Sequence, residues 1–557
     1  MKFKLNIKLF YITTLFFLSC QKDVDMIVYN AKVYTVNENF EVASSFAVKN
    51  GKFYDIGGDE ILAKYHSKNI LNLDGKVILP GLIDAHCHFY GLGQKQQVID
   101  LVGTSSFDEI VKKLTANRDG KSIIRGSGWD QNDWTNKEFP TKKRLDEFFP
   151  NTPVVLERID GHAYLVNQVV LDMANINFET DSKSGSLVKI NGELTGMLID
   201  GPMRLVDKVL PEPSTGDQIK ALLDAQKICL ENGLTTIDDA GLSKNILLLI
   251  DSLHKSKDLK IRVYGMISNE SESVNYFLEK GHLKTEHLNI RSVKVYGDGA
   301  LGSRGATLKQ PYTDDIHNYG KLVTGPDEII ELAKKLANAN FQMNTHAIGD
   351  STIKILIDAY KKVLIDKKDP RWRIEHSQIV DLDDISGYDN KILPSVQPTH
   401  ATSDMYWAED RIGNKRIKGA YPYKMLLNKS KIIGLGTDFP VEKVNPFHTF
   451  YAATSRKDLN GFPEDGFQNQ NALTRKETLK GMTIWAAYLN FEEKEKGSIE
   501  KDKFADFVVI DRDIMEIDLE ETPYSKVYET YISGCLLYTS DAADEGLGVD
   551  LGGRRII

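Results

Sequence analysis

Apolar and polar residues alternate in short runs toward both ends of the chain. From Met26 the runs read "MIVYNAKVYTV", "SSFAVKNGKFYDIG" and "KNILNLDGKVILP", with Asn-Gly and Asp-Gly pairs among them. A period of two, broken by such pairs, predicts short strands joined by tight turns. "GSIEKDKFADFVVIDRD" and "VYETYISG" have the same character near the other end. Segments this small do not fold alone. Residues 25–75 and 497–534 are therefore expected to pair into one composite β-sandwich.

The middle has a different rhythm. Eight short apolar runs recur: "KVILPGLIDAH", "GLTTIDDAG", "IRVYGMI", "RSVKVYGDG", "FQMNTHAIGD", "RWRIEHSQIV", "KILPSVQPTH" and "KIIGLGTDFP". Stretches with helical spacing, such as "PDEIIELAKKLANAN" and "STIKILIDAYKKVLI", lie between several of them. Eight strands alternating with helices predict an α/β fold, a (β/α)8 TIM barrel over residues 76–496. One interval is too long for a crossover connection. Residues 89–232, between the first and second strands, are expected to form a large insertion above the barrel mouth.

The two termini stand apart. "MKFKLNIKLFYITTLFFLSCQKD" has a basic start, a short apolar core and a small-residue boundary, the layout of a secretory signal peptide over residues 1–20. "LFFLSC" also resembles a bacterial lipobox, which implies cleavage before Cys20 and acylation of its thiol. The expected location is the bacterial cell envelope, with the chain anchored to the membrane through Cys20 in the periplasm or at the outer-membrane surface. At the other end, "CLLYTSDAADEGLGVDLGGRRII" resembles a translated sequencing adapter. Residues 535–557 are set outside the native fold on that ground.

Composition narrows the class. Of 557 residues, 41% are hydrophobic and 27% charged, which fits a globular protein. A net charge of −9, with no large basic run, argues against a nucleic-acid partner. The expected partner is a small-molecule substrate; oligomeric state is not readable from the chain. Four cysteines include Cys20 and Cys535, so Cys87 and Cys229 alone remain, which is no disulfide framework.

Catalytic groups of a barrel sit at the C-terminal ends of its strands. His86 and His88 occupy the first end, Lys294 the fourth, His346 the fifth, His376 the sixth and Asp438 the eighth. Side chains two apart on a strand share a face. His86 and His88 can thus turn to the mouth and share one ion, with Cys87 turned outward. Imidazole and carboxylate ligands suit zinc, and manganese, iron or cobalt are compatible. Lower-ranked candidates for substrate contact are His162, Trp129, Asp130, Trp134, Arg304 and His400.

"GLIDAHCH", "KVYGDG", "NTHAIGD", "RIEHSQ" and "GTDFPV" together resemble the amidohydrolase superfamily, metal-dependent hydrolases, and in it the third amidohydrolase family with its N-substituted formamide deformylases. "GSGWDQNDW", "ERIDGHAYLVN", "GELTGML", "DGALGSRGATLKQPY" and "QPTH" fit the same branch, so the resemblance covers about residues 25–534. It implies that His86, His88 and Asp438 hold one divalent ion and that His346 and His376 hold a second. It further implies that Lys294 bridges the two as a carbamate formed with carbon dioxide, and that Asp438 is the general base. The expected reaction is hydrolysis of a non-peptide C–N bond, amide or formamide, by a metal-activated hydroxide. A one-metal deaminase is the second reading, disfavoured because Gly349 stands where such deaminases carry glutamate. A metal-free, solute-binding surface lipoprotein is the third.

Overall fold

The computed structural model describes residues 21–118, 122–158, 163–180, 185–211 and 213–540. Residues 1–20, where a signal peptide ending at Cys20 is expected, His162, and residues 541–557 lie outside these. Among the described residues no helix is long and apolar enough to cross a membrane.

Eight parallel strands form the barrel: β1 (Leu82–Cys87), β2 (Leu234–Leu242), β3 (Arg262–Ser268), β4 (Leu288–Tyr296), β5 (Gln342–Ala347), β6 (Trp372–His376), β7 (Ile392–Val396) and β8 (Gly434–Leu435). They neighbour one another in chain order. Helices α1 (Phe89–Gln96), α2 (Thr215–Glu231), α3 (Lys244–Ser256), α4 (Ser271–Lys280), α5 (Pro326–Asn338), α6 (Asp350–Val363), α7 (Pro398–Asp404) and α8 (Tyr423–Ser430) follow in sequence. The fold is the (β/α)8 barrel that the alternation of elements predicts, with the expected extra parts.

β8 is shorter than the apolar run "KIIGLGTDFP" suggests, and Gly436 shows why. A Cβ there would meet the His86 nitrogen at 2.5 Å and Asp84 Oδ1 at 2.7 Å. The chain passes too close to β1 for a regular ladder, and the barrel is closed by other bonds. Thr437 N–H donates to Asp84 Oδ1 at 3.0 Å, Asp438 N–H to the His86 carbonyl at 2.8 Å, and His88 N–H to the Phe439 carbonyl at 2.8 Å. The closing seam thus binds three predicted site residues, His86, His88 and Asp438, through their backbones.

Strands from both ends of the chain do share one sheet. Phe507–Ile510 runs antiparallel to Val77–Pro80, and Val527–Ile532 continues the sheet beyond it. A four-stranded sheet (Lys52–Gly57, Ser45–Lys49, Met26–Tyr29, Ile70–Asn72) covers its inner face. Val28, Phe46, Ile78, Phe507 and Val509 are buried between the two, with Phe46 and Phe507 packed edge to face at 5.1 Å. Cys535–Thr539, set outside the fold in the sequence reading, pairs antiparallel with Val527–Ile532 at the sheet edge. Edge pairing uses backbone groups, which any chain carries.

The insertion is narrower than residues 89–232. Its six-stranded sheet spans Ile99–Asp100 to Glu193–Asp200. The flanking helices α1 and α2 belong to the barrel wall, where Phe89, Leu92, Leu222, Ala225 and Cys229 join the main core. The two helices meet at Gly93, where a Cβ would strike the Ala221 carbonyl oxygen at 1.8 Å.

Candidate metal centre

The predicted strand-end residues converge. His86 is fully buried, and its ring lies 5.7 Å from that of His88 and 4.7 Å from that of His376. The His376 ring in turn lies 4.5 Å from that of His346. Lys294, also fully buried, brings Nζ to 3.1 Å from His86 Nε2. Asp438 stands among them: Oδ1 is 3.1 Å from His88 Nε2 and 3.6 Å from His86 Nε2, and Oδ2 is 4.0 Å from His376 Nδ1. Cys87 is turned away into the outer core with Leu222 and Cys229, as strand alternation requires.

Alternation fails at the end of β6, and the failure is informative. Glu375 and His376 are adjacent, yet both reach His86. Glu375 Oε2 sits 2.7 Å from His86 Nδ1, and both side chains are buried. His376 and Ser377 have φ of 72° and 46°, so the backbone turns left-handed as β6 ends and re-aims the side chain. Asp438 is likewise left-handed, φ 63°. Such conformations cost of order 1–3 kcal/mol each and concentrate at functional sites.

Sequence reasoning missed Glu375. Its bond to Nδ1 fixes the His86 tautomer, leaving Nε2 facing the site, the usual carboxylate–histidine arrangement beside a metal. We predict that Glu375→Gln weakens metal affinity by roughly 10- to 100-fold. Metal titration of the stripped protein reads this directly; unchanged affinity would refute the role. Two further carboxylates were missed. Asp84 accepts from His86 N–H at 3.2 Å and from Thr437 Oγ1 at 2.7 Å, holding the seam. Asp298 accepts from Ile348 N–H, Gly349 N–H, Thr307 N–H and Thr352 Oγ1. It clamps the turn after His346. Their signal was only proximity to a quoted motif, because a buried backbone acceptor has no spacing of its own.

Electrostatics favour neutral ligands around one anion. Burial, then the charge of Lys294, pushes the His346 imidazole down to about 3. Burial also holds His86 and His376 well below the usual histidine range. Burial would raise the Asp438 carboxyl, but the close His88 ring and the other imidazoles hold it well below the usual carboxylate range. Burial lowers the Lys294 ammonium, against the opposing pull of Glu375, Asp438 and Asp239.

The donor set fits a divalent ion. His86, His88 and Asp438 offer ligand atoms within 4.8 Å of one another, and so do His376, His400 and Asp438. His346 Nε2, His376 Nδ1, His400 Nε2 and Asp438 Oδ1 are buried without hydrogen-bond partners. Unsatisfied buried polar atoms are expensive. A cation shared by His346, His376 and Asp438 would satisfy three of these atoms.

The remaining candidates separate. Trp129 is fully buried, donates Nε1–H to the Leu156 carbonyl at 3.1 Å and stacks on Trp134 at 5.9 Å. Both belong to the insertion's own core, which corrects their expected place in a substrate pocket. Their aromatic area serves packing rather than recognition. Asp130 is held by Arg158 at 2.6 Å, and Arg304 by Asp314 at 2.8 Å. Neither pair involves the strand-end residues. His400, in contrast, lies at the centre, its Nε2 3.6 Å from Asp438 Oδ2 and its ring stacked at 6.0 Å on that of His376.

A family model described as "Amidohydrolase family" matches residues 69–538, which takes in the barrel, its insertion and part of the sandwich. The chain belongs to the amidohydrolase family. Two solved structures of uncharacterized metal-dependent hydrolases, from Pyrococcus furiosus and Pyrococcus horikoshii, superpose on it with TM-scores of 0.76 and 0.77. Each is 27% identical, and they cover 88% and 89% of this amidohydrolase and 100% and 99% of themselves. Among relatives, "Putative amidohydrolase YtcJ" of Bacillus subtilis is 30% identical over 91% of this chain and 98% of its own. "Protein LONG AFTER FAR-RED 3" of Arabidopsis thaliana is 32% identical over 92% and 91%. "N-substituted formamide deformylase" of Arthrobacter pascens is 24% identical over 92% and 98%. Its membership makes this amidohydrolase a hydrolase, and its clustered histidine and aspartate groups fit a metal ion.

Proposed function

We propose that the chain hydrolyses a non-peptide C–N bond, an amide or formamide, with Asp438 as its proton-transfer residue. The observation that carries this reading is the position of Asp438. It is a buried carboxylate ringed by His86, His88, His376 and His400, with one buried oxygen lacking a hydrogen-bond partner. The formamide deformylase relative, 24% identical over 98% of its own length, supports the same bond class.

His86, His88 and Asp438 would hold one divalent ion, and His346 and His376 a second. A bound divalent ion acidifies water and polarises a carbonyl. Asp438, kept ionised by its surroundings, accepts the proton of the attacking water and later delivers it to the amine nitrogen as the C–N bond breaks. One water is consumed, and a carboxylate and an amine leave. Burial favours the uncharged Lys294 amine. That amine has a lone pair for carbon dioxide, and its carbamate would supply the bridging oxygens that an ammonium lacks.

The deaminase alternative meets a steric obstacle. A Cβ on Gly349 would lie 2.1 Å from the Thr307 carbonyl oxygen, so the position has no room for a glutamate. The test is a panel of N-alkylformamides, anilides, N-acyl amino acids and lactones, supplied with zinc or manganese and read by amine or acid release. Amine release from amides or formamides is expected. Turnover of lactones with every amide and formamide inert would overturn the reading.

A further inference from the structure

One of the buried, unpartnered atoms at the centre, His400 Nε2, differs in kind from the others. His400 lies in the first turn of α7, and both it and Gln378 are buried. Gln378 Nε2 is 3.1 Å from His400 Nδ1. An amide nitrogen can only donate, so Nδ1 is the acceptor. In a neutral imidazole one nitrogen accepts and the other carries the hydrogen. The hydrogen therefore sits on Nε2, the atom that faces the site and has no hydrogen-bond partner. It is 3.6 Å from Asp438 Oδ2, too far for a good bond. A ring nitrogen that carries hydrogen has no lone pair for a metal. The spacing of His376, His400 and Asp438 alone would admit His400 as a ligand, but its tautomer does not.

An N–H held in a dry site, aimed at the reacting centre and without an acceptor is what stabilises a developing oxyanion. We infer that His400 donates its Nε2–H to the substrate's carbonyl oxygen, and that Gln378 is the positioning residue that sets this tautomer. The stacked His376 ring fixes the imidazole plane from one side. The inference rests on the carbonyl substrate proposed above and gives its oxygen a protein partner that is not a metal ligand. Histidine, rather than lysine or arginine, suits the place because it donates without adding charge beside the metal ligands.

The test uses the full chain in three arms. In [15N]histidine-labelled protein, His400, assigned from His400→Ala, should show the Nε2–H tautomer. Gln378→Glu, whose carboxylate can only accept, should move that hydrogen to Nδ1. An Nδ1–H tautomer in the unaltered chain would overturn the inference. Elemental analysis should find the metal content of His400→Ala equal to that of the unaltered chain; loss of metal would make His400 a ligand and sink the donor role. With N-butylformamide as probe, His400→Ala and Gln378→Glu should each lower kcat by about 100-fold with little change in KM. His400→Gln, which keeps an N–H in reach, should recover part of the loss. An unchanged kcat in His400→Ala would contradict the inference. A native chain inert toward formamides and amides would count against the bond class alone, and the tautomer and metal arms would still decide His400.

Discussion

Asp438→Asn should lower turnover by about 100- to 10,000-fold, the usual contribution of a general acid–base group, while the protein stays folded. Asparagine keeps the shape and the left-handed backbone, a conformation that Asn and Asp adopt more readily than most residues. The closing bond from the position 438 N–H to the His86 carbonyl is a backbone bond and survives. What is lost is an anion that accepts a proton and balances the buried imidazoles. Steady-state rates on the substrate found by the panel, beside a circular dichroism spectrum and a melting curve, check this. Near-native turnover in a folded variant would remove Asp438 from its role.

The second large effect concerns Lys294. Its Nζ is sealed from solvent and lies 3.1 Å from His86 Nε2, so a carbamate there would reach the ligand cluster. Under 13C-labelled carbon dioxide, a carbamate resonance should appear in the native chain and be absent in Lys294→Met. That variant should also drop from two bound metals to one, with activity falling in step. An unmodified amine in a chain that binds two metals would contradict the bridge.

Much of this was legible in the amino-acid sequence because the barrel repeats its grammar. Strands and helices alternate, and each strand end carries its chemistry, so His86, His88, Lys294, His346, His376 and Asp438 could be found by position alone. The i, i+2 rule placed His86 and His88 together and Cys87 outside. It could not find Glu375, whose reach toward His86 depends on a left-handed turn at His376 that no periodicity reports. Nor could it find Gln378, which acts through one contact to a residue on another element. The tryptophans of "GWDQNDW" misled for the opposite reason. Trp129 and Trp134 make a polar-looking motif, but aromatic area in a small inserted sheet is needed first for that sheet's own core. The short β8 was masked as well, since its apolar run reads as a full strand until Gly436 is seen against β1.

The central claim is that the strand-end histidines and Asp438 bind the divalent metal on which hydrolysis depends. Elemental analysis of the purified chain, of the same chain after chelation, and of His86→Ala tests it most directly. Two equivalents of a divalent transition metal per native chain are predicted, with markedly less in His86→Ala, and with hydrolysis lost on chelation and restored on adding the metal back. A native chain that binds no metal when zinc or manganese is supplied, or one that hydrolyses its substrate equally well after the metal has been stripped, would contradict the account.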